Sequence, residues 1–184
     1  MPDTEQLHTL SAELLANAEL SEGAQKLFRS DLTPAAYLAG LSNAGLFPDA
    51  VKFTAQVLGA KKSVAWAAAC VRELGAENGQ TEQQKAALAA AQQWLTEAND
   101  EARRAAQKAA ELAKISTPEG CVAIAAFFSE GSIAPPHVQS VPPPPNVAAK
   151  IAAGGILLAV IKEPKMAVQR FERCLQLGLK EIPA

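Results

Sequence analysis

The stretch Thr117-Pro118-Glu119-Gly120-Cys121-Val122-Ala123-Ile124-Ala125-Ala126-Phe127-Phe128 decides how the chain is built. Threonine followed by proline starts a helix cleanly. The threonine side chain can take a free amide of the first turn, and the N–H that proline lacks would have had no partner there. From Cys121 to Phe128 no residue is polar. A helix that is apolar on every side must be surrounded, so this one is expected at the centre of the fold.

Downstream the pattern breaks. Gly131 to Asn146 contains Pro135-Pro136 and Pro142-Pro143-Pro144-Pro145, and such a segment cannot hold a helix. Four consecutive prolines favour a polyproline II rod of about 12 Å at ~3.1 Å per residue. It reads either as a stiff strap over the core or as a preorganised ligand for an aromatic groove. Asn146 stands where it can cap an apolar helix over Val147 to Ile161. With Lys150 and Gly154-Gly155 inside it, that run falls short of the ~20 residues of a membrane span, and a buried helix is expected. Glu163-Pro164 opens the last helix, with Ala167, Val168, Phe171, Cys174 and Leu175 inward and Gly178 as its stop.

Upstream, apolar residues recur at helical spacing. Leu7, Leu10, Leu14 and Leu15 mark a weak helix from about Glu5 to Leu20. Thr33-Pro34 starts a helix through Tyr37, Leu38 and Leu41 that Gly45 ends. Pro48-Asp49 opens another, ending at Gly59, and Ser63 is expected to cap a separate one over Val64 to Leu74. Thr81 and Gln84 suggest a capping box before the helix Glu82 to about Glu97. Asn99 or Asp100 caps Glu101 to Lys114. Its stripe reads as Ala102, Ala105, Ala106, Ala109, Leu112 and Ala113, with Arg103, Arg104, Gln107, Lys108 and Glu111 outside. No segment alternates at period two, and no fixed repeat holds across the units. The expectation is an all-α, single-domain bundle of about eight helices: an N-terminal helical extension over 1–30 and a helical core over 31–180, with an ordered proline-rich loop at 131–146.

Composition fits that picture. Of 184 residues 39 are alanine, which loses no side-chain entropy in a helix and lets helices approach closely. A net charge of −2 without a basic stripe argues against nucleic acid as a partner. The acidic N-terminus lacks a secretory pattern, so a cytoplasmic location without membrane insertion is expected. Cys70, Cys121 and Cys174 are scattered and odd in number, which suggests buried free thiols.

Candidate chemistry is sparse. The two histidines, His8 and His137, are far apart in sequence and have no metal-ligand spacing with the cysteines. Either could act as a base, but each reads better as a solvated surface histidine. Asp100-Glu101 sits at a helix start, where acidic residues complement the helix dipole. Gly154-Gly155 lacks the strand and spacing of a dinucleotide loop and reads as a close helix contact. No catalytic residue, metal site or cofactor is therefore expected. Trp66 and Trp94 are either core or, since tryptophan is enriched at interfaces, an anchor. The residues singled out for protein binding are Trp66, Pro135, Pro136, His137, Pro142, Pro143, Pro144 and Pro145.

Five pieces together resemble a known family. They are Ala50-Val51-Lys52-Phe53, Ser63 to Cys70, Thr117-Pro118-Glu119-Gly120, Ser129-Glu130-Gly131-Ser132-Ile133-Ala134-Pro135-Pro136, and Val141 to Pro145 before an apolar helix. The chain is similar, over roughly Thr33 to Leu177, to a bacterial family of unassigned function whose members are often encoded near type VI secretion genes. That resemblance implies association with a secretion machine and transfers no catalytic residue. The expected function is a non-enzymatic adaptor or accessory protein whose partner is another protein, such as a secretion-system component. An immunity-type inhibitor, or a small-ligand domain with a site near His137, are the alternatives.

Overall fold

Side chains that close the first turn mark most helix starts. Thr33, Thr81, Asn99 and Thr117 accept from the backbone N–H groups of Ala36, Gln84, Ala102 and Gly120 at 3.2, 3.3, 2.8 and 3.1 Å. Gln84 returns the favour by accepting from the Thr81 N–H at 2.9 Å, completing the capping box. The computed structural model describes residues 12–75 and 79–182. His8 and the start of the first expected helix lie outside the described residues.

Among the described residues the fold is all-α, with no strand. The helices are α1 (Ala12–Ala18), α2 (Glu22–Lys26), α3 (Pro34–Asn43), α4 (Phe47–Gly75), α5 (Glu82–Glu97), α6 (Asp100–Ala113), α7 (Pro118–Phe127), α8 (Val147–Ile161) and α9 (Ala167–Leu179). A 3₁₀ turn at Pro164–Met166 leads into α9. All ten residues of α7 are buried, as its apolar circumference requires. It packs on α5, α6 and α8, and α8 in turn packs along α4. Glycine makes the α7–α8 contact close. A Cβ on Gly155 would stand 3.0 Å from the Cys121 Cβ and 3.2 Å from the Pro118 carbonyl.

Several boundaries differ from expectation, each for a local reason. Gly59 (φ 70°, ψ −179°) kinks α4, but helical turns resume directly after it. Ser63 is therefore not a cap; its hydroxyl is turned back to donate to the Ala60 carbonyl at 2.9 Å. Gly178 does not stop α9. It lies buried inside that helix, where a Cβ would meet Trp66 at 3.0 Å and Thr54 at 2.8 Å. Val168 and Leu112, expected inward, are 56% and 74% exposed. Asn146 precedes α8 in a left-handed conformation (φ 61°) and makes no side-chain cap.

Candidate protein-binding surface

α6 carries the one large departure from the expected pattern. Its buried residues are Ala102, Arg103, Ala106, Ala110 and Ala113. The series 103, 106, 110, 113 follows helical spacing, so the inward stripe is rotated from the one expected and includes an arginine. Arg103 is 1% exposed. A buried guanidinium is tolerated only when its donors are satisfied. Here Nη1 donates to the Phe127 carbonyl at 2.7 Å and Nη2 to the Ser132 carbonyl at 2.7 Å. Nε and Nη2 both donate to Asp100 Oδ1, and the group lies 4.8 Å from the Phe127 ring centroid.

Arg104 reinforces the same place from the rim. Its Nε donates to Asp100 Oδ2 at 2.7 Å and its Nη2 to the Ala134 carbonyl at 2.9 Å. Hydrogen bonds from Arg104, then from Arg103, hold the Asp100 carboxyl below its ordinary range. Gly131 is required twice over: its φ is 72°, and a Cβ would meet the Arg103 guanidinium at 3.0 Å. Asp100, Arg103 and Arg104 thus form a latch that holds the end of α7 and the start of the proline-rich segment.

The segment then closes on itself. The Ile133 N–H donates to the Val141 carbonyl at 2.8 Å, and the Ser132 hydroxyl accepts from the Val141 and Ala134 amides at 3.0 and 3.2 Å. Between these ties the chain turns through His137, which has φ 75°. Ile133 packs against the buried cluster that contains Phe127 and Ile124, so the base of the loop is anchored by apolar contact as well. The tip points outward: Pro135, Pro136, His137 and Val138 are exposed, Val138 by 60%. Val141 (46% exposed), Pro142, Pro144 and Pro145 extend that surface, and Pro143 is half-buried.

The structure brings seven of the eight singled-out residues onto this loop and separates the eighth. Trp66 is 3% exposed, and its indole N–H donates to the Cys174 carbonyl at 2.8 Å, so it belongs to the core. Trp94 is fully buried beneath Lys61, whose Nζ is 5.7 Å from the ring centroid. Sequence reasoning missed Arg103 because arginine reads as exterior. The signal was its register with Ala106, Ala110 and Ala113, together with Asp100 three residues before it.

Other candidate chemistry is dispersed. The three cysteines are free and buried. The Cys70 thiol pKa is pushed up by its interaction with Cys174 and by burial, and that of Cys121 by burial and then by Glu119, which keeps both protonated and weakly nucleophilic. Among the described residues no group of three or more His, Cys, Asp and Glu could hold a metal ion. Glu119 is fully buried at the start of α7, accepting from Gln80 at 2.8 Å with Lys162 at 3.9 Å. Among those residues no helix is long and apolar enough to cross a membrane.

A family model matches residues 37–181, which span the latch, the loop and every helix from α4 onward. The chain belongs to DUF6931, a family of unknown function. α1 and α2 precede the part of the chain matched by DUF6931. No curated protein and no solved structure matches the chain.

Proposed function

We propose that this DUF6931 member is a non-enzymatic adaptor or accessory protein of the cytoplasm. It binds another protein through residues 134–145, in the setting of a secretion system that the family resemblance implies. One observation carries the reading. A loop whose base is tied by Arg103, Arg104 and Ser132 holds Pro135, Pro136, Val138, Pro142, Pro144 and Pro145 outward. Exposed apolar side chains on a preordered loop are costly to keep in water and cheap to bury against a partner, because little conformational entropy remains to be lost. The adaptor's specificity would come from apolar and aromatic contacts on the proline faces, not from charge.

Co-purification from the native cells tests this. A protein retained by the natural chain should be lost when Pro142, Pro143, Pro144 and Pro145 are all replaced by glycine and serine. The reading fails if both chains retain the same proteins. Each of the five clefts described is lined by residues other than His137, so no observation favours a ligand site beside it.

A further inference from the structure

Three contacts fix how α9 lies against α4. The Trp66 indole N–H donates to the Cys174 carbonyl at 2.8 Å. One turn further along α9 is Gly178, where a Cβ would meet Trp66 at 3.0 Å and Thr54 at 2.8 Å, so the two helices approach closely there. At the rim, Arg173 Nε donates to the Glu73 carboxylate at 2.5 Å. Residue 66 thus faces 174 and 178, while 73 faces 173: positions rise along α4 as they fall along α9. The two helices run antiparallel in a single register.

That register sets two thiols beside each other. Cys70 follows Trp66 by one turn on the same face of α4, and Cys174 stands opposite on α9. Cys70 Sγ lies 3.9 Å from the Cys174 carbonyl oxygen, and the two thiols are hydrogen-bonding partners. Both side chains are fully buried in the same apolar cluster, although 104 positions separate them in sequence. Cys121 takes no part in this contact. It belongs to α7, and its Sγ donates to the Ile115 carbonyl at 3.2 Å. The chain's three cysteines allow three pairings, and the fold brings together one of them.

We propose that Cys70 and Cys174 are a disulfide site, which joins α4 to α9 when the chain folds in the presence of a small disulfide such as glutathione disulfide. The thiolate of one cysteine attacks the donor, forms a mixed disulfide and releases one glutathione thiolate. The other cysteine's thiolate then attacks the protein sulfur of that mixed disulfide. The bond between Cys70 and Cys174 forms, the bond to glutathione breaks, and a second glutathione thiolate leaves. Two protein thiols are oxidised and one small disulfide is reduced; the two protons lost by the cysteines end on the released glutathione. The folding chain gives the donor access to the sulfurs, and the register of α9 on α4 then selects the partner. In reducing surroundings the same two groups stay a buried pair of thiols. The bond closes a long loop, and in the chain-entropy view such a closure constrains the unfolded state strongly.

The test refolds the full chain from guanidinium in a glutathione buffer rich in the disulfide, blocks free thiols with iodoacetamide and maps the joined peptides by mass spectrometry. The pairing of Cys70 with Cys174 should exceed each of the other two by about tenfold or more. In guanidinium the order should reverse, because that pairing closes the longest loop of the three. The joined chain should melt about 10 °C above the reduced one. Cys121→Ala should keep that rise, while Cys70→Ala and Cys174→Ala should each abolish it. The proposal is overturned if the refolded chain keeps Cys70 and Cys174 reduced, if its pairings match those made in guanidinium, or if the joined chain melts no higher than the reduced one. The pairing map needs only the natural chain, so it decides the matter even where a variant fails to fold. Replacing Pro142–Pro145 should leave the pairing unchanged, so the disulfide site and the loop reading fail separately.

Discussion

Two contacts made by α7 show two different ways to hold a helical fold together. Along its length α7 meets α8 mainly through alanine, glycine and apolar side chains, with one ion pair at the edge, Lys162 Nζ 3.9 Å from the Glu119 carboxylate. At its C-terminal end it meets α6 through a buried guanidinium whose donors reach the Phe127 and Ser132 carbonyls. The first contact depends chiefly on volume. The second depends on one side chain satisfying several acceptors at once, and it reaches past the helix to order a loop. Apolar packing places α7; the arginine decides what the exit from α7 looks like.

The largest expected effect comes from breaking the polar contact. Arg103→Met keeps most of the side-chain volume but leaves the Phe127 carbonyl without its donor and weakens the tie at Ser132. A hydrogen bond to a charged group contributes about 1.5–3 kcal/mol, so the loss in urea unfolding should be about 3 kcal/mol. Arg103→Lys, which can reach one acceptor but not fork to two, should recover less than half of it. Proteolysis between Ala134 and Val141 should accelerate in both variants.

Gly155→Ala attacks the other contact. Its Cβ would press on the Cys121 Cβ at 3.0 Å, and overpacking of this kind costs about 1–3 kcal/mol. Thermal unfolding should report the loss, while the proteolysis rate of the loop in the folded chain should not change. If the loop also loosens, the two contacts are not separable in the way described.

A pH titration sharpens the difference at smaller amplitude. The Asp100 carboxyl is held below its ordinary range by Arg104 and Arg103. A group whose folded pKa is depressed contributes stability that is fully present above its unfolded pKa, about 3.9 for aspartate. That contribution is lost as pH falls through the lower folded value. The latch should therefore be unaffected between pH 8 and 5 and should loosen below about pH 4. Because Asp100 is largely exposed, the effect should stay under about 1 kcal/mol. Faster proteolysis of the loop in acid, reduced in an Asp100→Asn chain, is the expected readout.

The smallest effect belongs to the tip. Val138→Ser changes a 60% exposed side chain and should move stability by no more than about 0.5 kcal/mol. If partner binding drops while stability holds, the tip's role is recognition and not support.

Much of the fold was readable from local chemistry. Thr33, Thr81, Asn99 and Thr117 cap helices because their short polar side chains serve the first turn, whatever lies beyond it. The burial of α7 followed from its having no polar face. What escaped were features set by tertiary neighbours. Ser63 and Gly178 have the residue types of helix boundaries but sit inside helices: the Ser63 hydroxyl bonds back to the Ala60 carbonyl within α4, and Gly178 lies where Trp66 and Thr54 crowd α9. Arg103 was hidden by its charge, which suggests solvent, although its register with Ala106, Ala110 and Ala113 placed it inward. Of the surface residues singled out, the prolines and His137 fell together on one loop because turn-forming residues gather there. Trp66 did not, because the close approach of Gly178 covers its ring.

The account turns on whether residues 132–141 are held in place by Arg103. Amide hydrogen exchange at Ile133, Ala134 and Val141 measures this directly, since each of those N–H groups donates within the loop. They should be protected in the natural chain and should exchange near the unfolded rate in Arg103→Met, with the amides of α7 still protected. Unprotected loop amides in the natural chain, or protection that survives the loss of Arg103, would contradict it.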